Sequence, residues 1–234
     1  MANLYSEELA REEMTEICRL MYTRGYICGV EGNVSIRLNE DVILTTPRGT
    51  CKGRINKTDL VLTDLQGKAI GSGQPSTELK MHIAAYERRA DIKAVVHAHP
   101  TAAVACSLAS VTLDQCILPE VICTLGIVPT APYATPSTDE VGASIASLIA
   151  KHDAVILDHH GVLCLGKSVW EAFYNLETLE HFAQTLVLAH SLGGARTLSA
   201  SQVKKLIALR SFYGSSPLAD EDELLKGASV AKRS

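Results

Sequence analysis

The chain has 234 residues, 47% of them hydrophobic and 21% charged, which suits one ordered domain with a sizeable core and excludes a disordered chain. A net charge of −4, with small basic clusters such as Lys204-Lys205 and Lys232-Arg233, gives no basic stripe of the kind a nucleic-acid binder needs. Seven scattered cysteines without C-x-x-C spacing argue against both a disulfide framework and a thiolate zinc site.

Aromatic residues are only 5%, so the core is expected to be built from Ala, Val, Ile and Leu. A mean hydropathy of +0.12 is slightly apolar for a monomer and hints at surface buried between subunits. The N-terminus is polar and acidic, unlike a targeting peptide. No apolar run approaches the ~20 residues needed to span a bilayer, so a cytoplasmic location with no membrane partner is expected.

In chain order, Ser6 opens a helix with Leu9, Met14, Ile17 and Met21 on one face, stopped at Gly25. Gly32-Asn33-Val34-Ser35-Ile36 reads as a turn into a strand, and Val42–Thr45 as a second strand. Pro47-Arg48-Gly49 is a tight loop. Leu60–Thr63 with Asp64–Gly67 reads as a strand and hairpin turn. After the loop Gly71–Pro75, a helix capped by Ser76 or Thr77 runs to about Arg89, with Glu78 in its first turn. Ala94–His97 is a strand ended by Pro100, followed by a small-residue helix to Ser110. Ile127-Val128-Pro129 reads as a short strand, Asp139–Lys151 as a helix and Ala154–Leu157 as a buried strand. Ser168-Val169-Trp170-Glu171 is a capping box opening a long helix to Gly193-Gly194. A last helix spans about Ser199 to Tyr213, and the acidic tail, about 217–234, is expected to be mobile.

No repeat or linker divides the chain, so residues 1–234 form one domain. Several early strands look hairpin-linked, which predicts a mixed, largely antiparallel sheet with helices packed on it.

His97-Ala98-His99 carries the first chemical signal. On a strand, residues i and i+2 share a face, so two imidazoles project together. Zinc prefers such nitrogen ligands. Asp158-His159-His160-Gly161, leaving a buried strand, offers a third histidine, although spacing alone does not say which of the two. Pro75-Ser76-Thr77-Glu78 places hydroxyls and free N–H groups at a helix start, where an anion binds and where Glu78 equally complements the helix dipole. Glu177 and His181, four apart on the long helix, read as an exposed contact rather than a metal pair. No lysine stands out as a desolvated amine, so a Schiff base is not expected.

Gly32-Asn33-Val34-Ser35, Thr46-Pro47-Arg48-Gly49, Pro75–Glu78, Ala94–His99, Ala131-Pro132-Tyr133-Ala134-Thr135 and His159-His160-Gly161 together resemble the class II aldolase/adducin family. The resemblance spans nearly the whole chain. It implies a three-layer α/β/α fold and a homotetramer with sites between subunits. It implies a divalent metal, zinc first, on His97, His99 and His160, with Glu78 as a further ligand and the acid/base. It implies a substrate phosphate held by Gly32, Asn33, Gly49, Ser76 and Thr77, and a tyrosine, Tyr213, assisting from a neighbouring subunit. The activity implied is reversible cleavage of a ketose phosphate, such as L-fuculose 1-phosphate, into dihydroxyacetone phosphate and an aldehyde. Epimerase, dehydratase and decarboxylase chemistry on the same site are the alternatives, and a non-catalytic adducin-like module is a further one.

Two departures bear on substrate. Arg48 stands where the aldolases carry a small hydroxyl residue, and is expected to join the phosphate contacts. Ile117–Val121 lacks the tyrosine of the aldolases, and Glu120 is a candidate for its proton-handling role.

Overall fold

The computed structural model describes residues 6–213 and 221–229. The first helix, α1 (Glu7–Thr23), starts because the Ser6 hydroxyl accepts the Leu9 N–H, satisfying a backbone donor the helix leaves open. Its buried stripe is Ala10, Met14, Ile17, Cys18 and Met21, and Leu9 is exposed. Of the expected face, Met14, Ile17 and Met21 are buried and Leu9 is not, because Leu9 and Met14 are five apart and Ala10 instead keeps the three-to-four spacing.

Strands β1 (Asn33–Arg37), β2 (Ile43–Thr45), β3 (Val61–Thr63) and β4 (Ala69–Ile70) form an antiparallel meander. Next come α2 (Leu79–Arg88), β5 (Ala94–Ala98), α3 (Thr101–Leu108), α4 (Pro119–Thr124), β6 (Thr130–Ala131), α5 (Asp139–Ile149), β7 (Ala154–Leu157), β8 (Gly161–Gly166) and α6 (Val169–Ser191). The chain continues through α7 (Ala200–Leu209) and α8 (Glu221–Ser229). The eight strands make one sheet in the order β4-β3-β2-β1-β5-β8-β7-β6. Only β6 and β7 run parallel among the described residues, and α5 bridges them, as a parallel pair requires a crossover.

The period-two alternation of the strands creates two cores. Val34, Ile36, Ala94, Val96, Ile156, Val162 and Cys164 face α1, α3 and α6. Val95, Val155, Leu157, Leu163 and Leu165 face α2 and α5. This is the expected three-layer α/β/α arrangement. By parity, His97 falls on the α2 face, the face of Val95.

Several local expectations are corrected. The helix α2 begins at Leu79 with Glu78 itself at the N-cap, because the Ser76 hydroxyl accepts the Glu78 N–H (3.3 Å) and turns the chain before the helix begins. The short strand is Thr130–Ala131 rather than Ile127–Pro129, where Val128 makes only a bridge to Leu113. Strand β8 and helix α4 were not anticipated. Ser168 caps α6, but Glu171 accepts the Lys167 N–H instead of completing a reciprocal box. Within the acidic tail, residues 221–229 are helical. Leu224 is fully buried there in a small third core with Cys116, Ile122, Ile127 and Val203. An acidic first turn followed by Leu224-Leu225 is an amphipathic helix signal that charge alone concealed. Residues 217–220 and 230–234 of that tail lie outside the described residues.

Candidate metal centre and anion pocket

Two chain segments deliver the histidines and a third delivers the carboxylate. His97 ends β5 and is fully buried. Its Nδ1–H donates to the Val162 carbonyl of the neighbouring strand β8 (2.9 Å). That bond leaves the Nε2 lone pair free on the other edge of the ring, the state a metal ligand needs. His99 follows β5, and its Nε2 lies 3.0 Å from Nε2 of His97. His160 comes from the turn between β7 and β8. The three rings sit with centroids 4.8–4.9 Å apart, and one nitrogen from each falls within a 4.8 Å cluster.

The turn at 158–160 decides between the adjacent histidines. His159 takes a left-handed backbone (φ 58°). Its side chain points outward to Asp158 (2.9 Å) and is largely exposed. The Ser107 hydroxyl anchors this turn by accepting the His159 N–H (2.9 Å) and donating to Asp158 (2.8 Å). His160 therefore turns inward. Gly161 is required next, because a Cβ there would lie 2.4 Å from the Ala98 carbonyl and 2.6 Å from the His99 ring.

Glu78 joins the cluster from the start of α2. Its Oε1 lies 3.3 Å from His160 Nε2 and its Oε2 3.4 Å from His97 Nε2. Oε2 also accepts the Asn33 side-chain N–H (2.8 Å). Burial alone would raise its pKa, but the His160 and His97 imidazoles and Asn33 outweigh this and hold it well below the usual carboxylate range. Burial is the main cause that pushes His97 down to about 3, against the pull of Glu78, and burial likewise lowers His99. At neutral pH the site thus presents neutral His97 and His99 rings and the Glu78 carboxylate. Three nitrogen donors and an oxygen donor suit a divalent ion such as zinc. The fixed tautomer of His97 shows that the donor set fits one.

Beside the cluster lies a pocket of about 320 Å³, lined by Gly32, Asn33, Arg48, Gly49, Ser76, Thr77 and Glu78 together with His99 and His160. Two loops close its wall. Arg48 N–H donates to the Gln74 carbonyl (2.9 Å) and Ser76 N–H to the Thr46 carbonyl (3.2 Å). Gly32 sits at positive φ where a Cβ would meet Ile27 at 2.5 Å and the His97 carbonyl at 3.0 Å. The wall thus offers backbone and hydroxyl donors with one exposed guanidinium.

The pocket has three further lining residues that the sequence did not reveal, Val30, Glu31 and Lys52. Lys52 is only 3% exposed, which overturns the expectation that no lysine is desolvated. Burial lowers its pKa, and its Nζ donates to the Val30 carbonyl (2.6 Å). The K-G-R segment following the Pro47-Arg48-Gly49 loop gave no periodic signal that this side chain turns inward.

Glu120 and Tyr213 are not brought to this pocket within one chain. Glu120 lines a separate cavity of about 650 Å³ with Arg24, Glu177 and His181. Glu177 pairs with Arg24 there (2.7 Å) rather than with His181. Tyr213 is exposed (57%) in the turns after α7.

A mixed sheet sandwiched by helices carries, near its strand ends, a cluster of three histidines and a carboxylate whose donor atoms could hold a metal ion. The family model described as the Class II Aldolase and Adducin N-terminal domain matches residues 12–187, and the chain belongs to this family. The chain is 34% identical to the 3-oxo-tetronate 4-phosphate decarboxylase of Pectobacterium atrosepticum, covering 80% of this chain and 88% of that one. It is 33% identical to the L-fuculose phosphate aldolase of Methanococcus maripaludis, covering 76% and 96%. Among solved structures, YgbL of Escherichia coli superposes with a TM-score of 0.80 at 32% identity, covering 86% of this chain and 98% of that one.

Proposed function

We propose that this protein is a divalent-metal-dependent lyase that breaks a carbon–carbon bond next to a ketone in a phosphorylated sugar or sugar acid. The carrying observation is the convergence of His97, His99, His160 and Glu78 on the rim of a donor-lined pocket. His97, His99 and His160, with Glu78, would hold the ion, which supplies Lewis acidity to polarise the substrate's oxygens. The pocket wall of Gly32, Asn33, Arg48, Gly49, Ser76 and Thr77 would bind the phosphate, with the Lys52 cation behind it. Fixing that remote group orients the reacting carbon over the cluster.

Decarboxylation of a 3-oxo sugar-acid phosphate is the first reading. The bond to the carboxylate carbon breaks, carbon dioxide leaves, and the electron pair passes toward the neighbouring ketone. Glu78 then relays a solvent proton to the carbon left behind. This reaction needs no group to deprotonate an aldehyde-forming hydroxyl. That agrees with the tyrosine-free segment Ile117–Val121 and with Glu120 lying outside the pocket. The identity shared with a decarboxylase supports it further. Aldol cleavage of a ketose phosphate is the second reading, supported by the similar identity to a fuculose phosphate aldolase. It requires Glu120 or Tyr213 to reach the site from a neighbouring subunit, in the homotetramer the family resemblance implies.

The test offers the metal-loaded protein 3-oxo-tetronate 4-phosphate and a panel of ketose phosphates, and follows carbon dioxide and aldehyde release. Release of carbon dioxide selects the first reading and of an aldehyde the second. A chelator should abolish either activity. Borohydride with substrate should leave no adduct on Lys52, and a trapped adduct with chelator-resistant turnover would replace the metal mechanism by a Schiff base.

A further inference from the structure

We infer that Glu31 is a positioning carboxylate for His99, holding the Nδ1–H edge of that ring so that Nε2 is presented to the ion. The inference rests on reading the three-histidine cluster as a metal site.

A metal-bound imidazole has two edges, and the edge away from the ion needs a hydrogen-bond acceptor to fix the tautomer and ring orientation. His97 meets this need with backbone, through the Val162 carbonyl on β8. His99 stands one residue past the end of β5, beyond the ladder that gives His97 its acceptor. Its inward atom is Nε2, 3.0 Å from Nε2 of His97. Its outward atom, Nδ1, lies 3.4 Å from Oε2 of Glu31.

The loop that carries Glu31 is fixed at several points. The Glu31 N–H donates to the Cys28 carbonyl (3.0 Å). The preceding carbonyl, of Val30, takes the buried Lys52 ammonium. The following residue, Gly32, occupies a left-handed backbone and packs against Ile27 and the His97 carbonyl, where a larger residue does not fit. Glu31 is thus held by backbone on both sides at the outer edge of His99. The Cys28 thiol also donates to Oε2 (3.2 Å) and steadies the carboxylate without touching the histidines. A carboxylate raises the basicity of the imidazole it accepts from, which strengthens a metal bond more than a neutral acceptor does.

The experiment measures zinc affinity by competition with a chromophoric chelator, using the full chain. Glu31→Ala should weaken zinc binding about 10–100-fold, the usual scale for losing such a partner. Glu31→Gln, which keeps an acceptor but not the charge, should lose less. Cys28→Ala should bind as wild type. Nitrogen-15 NMR of the imidazoles should show His99 as the Nδ1–H tautomer in the wild type and as a mixture in Glu31→Gln. Wild-type affinity in Glu31→Ala, or an equal loss in Cys28→Ala, would overturn the assignment. His97→Ala separates the two levels of the argument. If it loses zinc while Glu31→Ala does not, only the role of Glu31 fails. If it keeps zinc, the metal reading fails and takes this role with it.

Discussion

The end of the sheet where β5 meets β8 and the C-terminal cluster of α4, α7 and α8 both gather residues far apart in the chain. At the first, one chain supplies three imidazoles, a carboxylate and a donor-lined pocket. At the second, Glu120 and Tyr213 lie outside that pocket, and the buried cluster is apolar apart from Arg210, whose guanidinium donates to the Ile122 carbonyl of α4. Groups fixed by strand pairing and tight turns are complete within one chain. Groups on peripheral helices acquire a chemical role only if another surface is brought to them.

The largest expected effect breaks the first region. His97→Ala removes a ligand and leaves the Val162 carbonyl without its donor, so metal content should fall from about one ion per chain to near zero by elemental analysis. His159→Ala, facing outward, should keep its metal. Equal losses in the two would refute the assignment of His160 over its neighbour.

Glu78→Gln should retain most metal and lose roughly 100-fold in kcat, the usual scale for a missing proton-transfer group. Metal and turnover are measured on one preparation. Near-normal turnover would move the proton transfer to Glu120 and so make the second region catalytic.

Leu224→Ala tests whether α8 belongs to the folded unit. Emptying that buried position should cost about 2–5 kcal/mol in urea unfolding, with zinc affinity unchanged. An unchanged unfolding midpoint would mean that α8 contributes no packing to the domain.

The smallest effect is expected at Arg48. Its side chain is exposed and its backbone already serves the loop through Gln74. Arg48→Thr should raise KM a few-fold with kcat little changed, the signature of a contact made equally in ground and transition states. A fall in kcat instead would place the guanidinium at the reacting centre.

Much of this was legible in the residues themselves. The strand that leads to His97 and His99, the N-cap at Ser6, the helix before Lys151 and the long helix after Ser168 follow from apolar periodicity and capping chemistry, which are local. The i, i+2 relation of His97 and His99 follows from strand geometry. Strand β8 was not legible, because Gly161–Gly166 is buried on both faces and shows no alternation. The ordered tail helix was hidden because Leu224 and Ala228 bury against Cys116, Ile122 and Ile127 from a distant part of the chain, as well as against Val203.

By itself, the sequence determined a single α/β domain, a mostly antiparallel sheet and a pair of histidines on one strand face. Through the combination of six motifs it also pointed to a family. Spacing left His159 and His160 open and the resemblance implied His160; the tertiary structure supplies the physical reason, since a left-handed turn held by Ser107 turns His159 outward and His160 inward. It also decided that Lys52 is buried and that Glu31 reaches His99. Each of these depends on chain segments meeting across the sheet. Spacing along the chain carries no record of that meeting, because periodicity reports which face a residue takes, not what stands opposite it.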